Sequence, residues 1–351
     1  MKVSLSWFLR MSTSSRRRFP HWLIPVLGYA VSLACLILVY RHFDWAEQWP
    51  RIRAVPPSYI LAAVLTDIAV YCVQGWRWNM LLRPVGCLPV WRSMQAIYVG
   101  LFANELLPLR PGEVIRTFLQ ARWSGVPFSV VISSVVIERL FDGVWLILSF
   151  FVASYFVELP EILVVGSRIL AGLLSIIAFL LCFALYQRDR AERWIRRTIW
   201  AQGFLHLLDA IAAMSRSDSF YRSFLLSALY LALQAAPIYF LSVGFNLGLS
   251  LGECAILLVI LRLGAVPPQA PGNVGTFQWL VVMGVMLFGV SRQSAIGYAT
   301  LLFLVITVPL WVVGFIALLA TKMKLSQLRM DAQNEPETLH ATSTTSRPAG
   351  R

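Results

Sequence analysis

Asn104-Glu105-Leu106-Leu107-Pro108-Leu109-Arg110-Pro111-Gly112-Glu113-Val114-Ile115-Arg116 and, after a short linker, Glu138-Arg139-Leu140-Phe141-Asp142 set charge inside an otherwise apolar neighbourhood. An ionised side chain surrounded by hydrocarbon is costly unless it meets an opposite charge or a charged ligand. The rest of the chain reads as the wall of a membrane-embedded chamber around these groups.

Composition points the same way. Of 351 residues, 58% are hydrophobic and 13% charged, and mean hydropathy is +0.70; soluble domains carry about 25% charge. Long uncharged runs recur, and runs of about 18 or more residues read as bilayer spans. The net charge of +13 would suggest nucleic acid in a soluble chain. Here the basic residues cluster between apolar runs, as the positive-inside bias and anionic lipid require, so nucleic acid is set aside. Cys35, Cys72, Cys87, Cys182 and Cys254 are scattered, and His21, His42, His206 and His340 are dispersed. With no ligand spacing and no nucleotide loop, no metal, cofactor or catalytic residue is expected.

Residues 1–21 form a basic arm, assigned to the cytoplasm. Trp22 to Tyr40 is the first span, and the loop after it reads as external. Pro56-Pro57 ends that loop, and Ser58 is expected to cap the second span, which runs to about Leu82. Asp67, Tyr71, Gln74 and Trp78, spaced 4, 3 and 4 apart, form a polar stripe that should face protein. Arg77 is expected to snorkel at the inner end.

From about Met94 to Leu107 the apolar stretch is too short for a comfortable span and runs into Glu105, Arg110 and Pro111-Gly112. A re-entrant hairpin fits both the length and the charges, broken backbone being tolerated at membrane depth when it lines a cavity. Residues 128–157 make a long third span carrying Glu138, Arg139 and Asp142. Ile162 to Tyr186 returns inward. The basic loop 187–221 reads either as an amphipathic helix on the inner leaflet or as a solvated linker. The span 222–245 carries Gln234 and Pro237, and the proline should kink it. A second broken pair follows, Cys254 to Val266 and Phe277 to Phe288, around Pro267 to Thr276. The last span, about Ala295 to Ala320, returns the chain inside, and a polar tail follows.

Two interrupted segments, one in each half, point to a site near the membrane midplane. Gly272, Gly275 and Thr276 can offer a backbone nest to an anionic headgroup. Arg110, Arg116, Arg139 and Arg262 can bind phosphate through their rigid forks. Asn104, Glu105, Glu113, Glu138 and Asp142 can hold those arginines or exchange protons. Asp67, Gln74, Gln234 and Pro237 form a candidate gating stripe. The alternative is that the charges pair with one another and only fasten helices.

At these residues the sequence resembles the lysylphosphatidylglycerol synthase transmembrane region family, the flippase-like or UPF0104 membrane proteins. The matching pieces are Asn104 to Pro108, Arg110-Pro111-Gly112-Glu113 with Arg116, Gly125 with Pro127, Glu138-Arg139 with Asp142, and Pro271 to Phe277. They extend over roughly residues 20–322. Pro111 stands where the family has a small residue, Asn273 where it has glycine, and Gln278 where it has an acid. The resemblance implies a module associated with lipid translocation. The aminoacyl-transferase domain fused to some relatives has no counterpart here, so synthase activity is not carried over.

The expected fold is therefore all-α and polytopic, with about six full spans and two broken or re-entrant pairs around a central polar cavity. A basic arm (1–21), a transmembrane domain (22–322) and a cytoplasmic tail (323–351) divide the chain. The expected function is translocation of a phosphate-bearing or aminoacylated lipid, downhill or driven by an ion or proton. The alternative is a membrane enzyme or accessory acting on polyprenyl-phosphate or other lipid-linked intermediates. Expected partners are anionic or aminoacylated phospholipid, polyprenyl-phosphate lipid and a lipid-synthesising enzyme. The expected location is a bacterial inner membrane with both termini cytoplasmic.

Overall fold

The computed structural model describes residues 23–86, 88–107, 110–157, 161–186, 211–265 and 269–321. The N-terminal arm, most of the loop 187–221 and the tail lie outside the described residues. Among those described, every regular element is helical: α1 (Leu23–Tyr40), α2 (Trp45–Arg53), α3 (Pro57–Leu82), α4 (Val90–Leu106), α5 (Gly112–Ser124), α6 (Phe128–Phe156) and α7 (Glu161–Tyr186). Past a short helical stretch at 211–215 come α8 (Asp218–Gly244), α9 (Leu251–Gly264), a single 3-10 turn (Pro271–Asn273), α10 (Thr276–Met286) and α11 (Arg292–Ala320). α3, α8 and α11 are each long and apolar enough to cross a bilayer; α1 with α2, bent by 91° at their junction, makes a fourth if the pair counts as one span. The chain is an all-α, polytopic integral membrane protein.

The local signals explain most boundaries. Asp44 caps α2 through the N–H groups of Ala46 and Glu47, and Ser217, Ser250 and Ser291 cap α8, α9 and α11. At α9 the Glu253 carboxylate returns to the Ser250 N–H, completing a capping box. α3 departs from expectation: Pro56 stands at its cap with no side-chain bond, and Ser58 lies inside the first turn. Proline at the first helical position has no N–H to satisfy, so no cap is needed there. The loop after α1 also differs. It contains α2, whose exposed Trp45 and Trp49 fit an interfacial position.

Among the described residues, two large apolar cores hold the helices together, with a small third cluster of Leu146, Phe150 and Val259 between α6 and α9. One joins Val39 of α1, Ala63 of α3, Ile238 and Leu241 of α8, Leu257 of α9, Val281 and Val285 of α10 and Tyr298 of α11. The other joins Trp78 and Leu81 of α3, Ile97 of α4, Ile115 and Leu119 of α5 and Phe141 of α6. α3 belongs to both, so it forms the spine between the two broken segments. Leu304, Val308, Val312, Phe315 and Leu319 of α11 are exposed at helical spacing, the apolar outer face that lipid covers. The stripe on α3 does turn inward: Asp67, Gln74 and Trp78 are buried.

Candidate functional site

Both interruptions in the sequence are interruptions in the structure. α4 ends at Leu106 and α5 begins at Gly112, and the two helices are fastened by the residues next to the break. The Gly112 N–H, one of the unsatisfied donors at the start of α5, donates to Asn104 Oδ1 of α4 at 2.7 Å. Gly100 and Gly112 let the backbones touch: a Cβ on Gly100 would stand 2.6 Å from the Gly112 carbonyl oxygen. Arg110, in the break, has φ 52, a left-handed conformation that costs a non-glycine residue and concentrates at functional sites.

The second break lies between α9 and α10. Gly272 has φ 69, and a Cβ there would stand 3.1 Å from Glu105 Oε2, so the acid of the first break packs against the backbone of the second. Arg110 Nη1 donates to the Ala265 carbonyl at the end of α9, 3.1 Å away. Trp311 Nε1 of α11 donates to Glu105 Oε2 at 3.3 Å. The two breaks are thus in direct contact, although about 160 residues separate them along the chain.

Where they meet is a cavity of about 280 Å³. Of the residues singled out in the sequence, Asp67, Gln74, Asn104, Glu105, Arg110, Glu113, Arg139, Gln234, Pro237, Arg262 and Gly272 lie on its wall. Arg116, Glu138, Asp142, Gly275 and Thr276 do not. Gly275 is spent on packing and capping. Its N–H donates to Gln278 Oε1 at 2.6 Å, and an added Cβ would strike the Ser32 backbone of α1. The Thr276 hydroxyl is held by Gln269 Oε1 and the Asn273 carbonyl, both at 3.0 Å. Gln278, the departure from the family acid, is buried as the acceptor that closes the start of α10. The wall also holds residues that sequence reasoning did not select, among them Tyr230, Phe303 and Thr307. Their signal was only that of ordinary helix positions.

The charges of α3, α5 and α6 form a closed ring. Arg77 pairs with Glu138 at 3.0 Å and with Asp142. Glu138 faces Arg116 at 3.1 Å, an ion pair whose angle falls short of a hydrogen bond. Arg116 contacts Glu113 at 2.6 Å, Glu113 contacts Arg139 at 2.7 Å, and Arg139 faces Asp142 at 3.6 Å. Three arginines alternate with three acids, so the ring is neutral. Arg77 does not snorkel: it is wholly buried. Ser227 of α8 accepts from its Nη1 at 2.9 Å, and the Tyr230 ring lies 4.7 Å from its guanidinium carbon. The sequence hid this because its partners stand on helices more than 60 residues away.

The ring has a sealed side and an open side. Arg77, Arg116 and Glu138 are buried, whereas the side chains of Glu113 and Arg139 are 43% and 44% exposed and line the cavity. Arg110 and Arg262 are exposed as well and stand outside the ring. Arg262 donates to Gln234 and, at 3.3 Å, to the Tyr230 hydroxyl. Neither Arg110 nor Arg262 is in an ion pair among the described residues.

The family model described as the lysylphosphatidylglycerol synthase TM region matches residues 26–314. A UPF0104 membrane protein of Methanocaldococcus jannaschii is 21% identical over 292 residues, covering 77% of this chain and 87% of that protein. One from Methanothermobacter thermautotrophicus is 25% identical over 278 residues, 73% of this chain and 82% of its own. The glycosyltransferase AglD of Haloferax volcanii is 23% identical over 128 residues, only 36% of this chain and 20% of that enzyme. Since the family model spans most of the chain and includes both broken segments, the protein belongs to the lysylphosphatidylglycerol synthase transmembrane region family, the UPF0104 flippase-like membrane proteins.

Proposed function

We propose that the protein is a lipid translocase whose cavity passes a phosphate-bearing or aminoacylated headgroup across the bilayer while the acyl or prenyl chains stay in lipid. One observation carries the reading: both helix breaks open onto one cavity, and its wall holds two arginines, Arg110 and Arg262, that are in no ion pair among the described residues. A bound phosphate would give these guanidiniums a charge-assisted partner and recover in protein contacts part of the hydration it loses. In this reading α1, α3, α6, α7, α8 and α11 are six full spans, and α4–α5 and α9–α10 are two re-entrant pairs around a central polar cavity. In this reading both termini are cytoplasmic, which the positive-inside bias of the basic flanks in the sequence supports. The assignment to a bacterial inner membrane rests on the sequence reading alone, since the relatives named above are archaeal.

The partial likeness to a glycosyltransferase favours one second reading, an accessory to, or an enzyme of, polyprenyl-phosphate metabolism, with a lipid-synthesising enzyme as partner. Reconstituted vesicles separate the two. With fluorescent phosphatidylglycerol and phosphatidylethanolamine as probes, translocation should fall more than about tenfold in Arg110→Ala and Arg262→Ala, the loss of about 1.4 kcal/mol or more of headgroup interaction. Both variants should still elute as folded protein. Product formation from a lipid-linked donor without translocation would contradict the translocase and support the enzyme.

A further inference from the structure

Asp67 is the one acid on the cavity wall that the described structure leaves without any partner. It is 5% exposed, its Oδ2 has no hydrogen bond, and it takes part in no ion pair among the described residues. Glu105 has the Trp311 donor, and Glu113 has two arginines. The titratable and charged groups around Asp67 are Tyr71 on its own helix, Glu105 of α4, Arg110 and Glu113 at and after the first break, Arg139 of α6, Tyr230 of α8 and Arg262 of α9 on the wall, and Tyr98 of α4 behind it. Since the ring is neutral in itself, the groups left to balance are the two arginines outside it against Asp67 and Glu105.

We propose that Asp67 is a proton-binding site that couples headgroup binding to proton binding, so that a lipid phosphodiester and a proton cross together. This rests on the translocase reading. An ionised Asp67 competes with a phosphate for the field of Arg110 and Arg262, and a protonated one does not. Phosphate binding and proton binding therefore favour each other, and the two factors are equal by linkage. An unpaired intramembrane carboxyl facing a cavity is the usual place for such a proton. In the step itself, Asp67 accepts a proton from hydronium on one side of the membrane, forming an O–H bond as the phosphodiester seats on the arginines. On the other side that bond breaks, and the proton returns to water as the lipid leaves. The single negative charge of the phosphodiester thus crosses with one positive charge beside it.

The test uses the full chain in proteoliposomes containing fluorescent phosphatidylglycerol, with the probe in each leaflet read by dithionite quenching. A pH gradient should drive the probe toward the alkaline side, to a limit of about tenfold per unit for one proton per lipid. In Asp67→Asn the ratio of driven to undriven distribution should fall to one, whatever the absolute rate, and Asp67→Glu should restore it. Translocation by the wild type that ignores the gradient overturns the coupling and leaves the translocase standing. No translocation at any pH overturns both. Should Asp67→Asn fail to fold, infrared spectra of the wild type decide: the proposal requires a carboxyl band that changes on probe binding, and its absence overturns it.

Discussion

Arg77 and Arg110 show how differently one residue type is used within one site. Arg77 is enclosed by Glu138, Asp142 and Ser227, and removing one member of such a buried set leaves the other charge uncompensated, at a cost of about 3–5 kcal/mol. Glu138→Ala is therefore expected to lower the unfolding temperature in detergent sharply. Arg139→Ala, on the half-exposed side of the ring, should cost no more than about 1 kcal/mol while slowing transport; equal melting shifts for the two would contradict the division into sealed and open sides. Sequence reading found the charged residues of α5 and α6 because charge in an apolar run is conspicuous. It misread Arg77, since a position near a span end allows snorkelling and only the tertiary partners decide otherwise.

At the scale of elements, the breaks were the most legible features, because Pro and Gly inside short apolar runs interrupt helices whatever surrounds them. What the sequence did not reveal is how each break is closed. Asn104 caps the following helix, and Gln278 accepts from Gly275. Gln278→Glu keeps an acceptor at that place and should hold the start of α10. Gln278→Leu strands a buried N–H and should cost about 1–3 kcal/mol, measurable as a lower melting temperature. Gly112→Ala puts a methyl group against the Gly100 carbonyl and the Asn104 amide; an overpacked contact of this kind costs about 1–3 kcal/mol, and an unchanged melting temperature would mean that α4 and α5 are not in backbone contact. The short helix α2 was not foreseen, because its nine residues carry as much charge as an ordinary loop.

For the whole molecule, composition alone supported an all-α membrane protein, and the family resemblance extended over nearly the full chain. The contact between the two breaks was only an expectation, because hydropathy orders segments along the chain and says nothing of which ones touch. That contact is what turns two weak helix ends into one cavity. The direct test is to fill it. With native cysteines replaced, Leu261→Cys on the cavity wall and Leu319→Cys, 61% exposed on the outer face, are each modified with a bulky maleimide in detergent and then reconstituted. The account predicts that modification at 261 stops translocation of the fluorescent lipid and modification at 319 leaves it unchanged. Undiminished translocation through protein modified at 261 would contradict it.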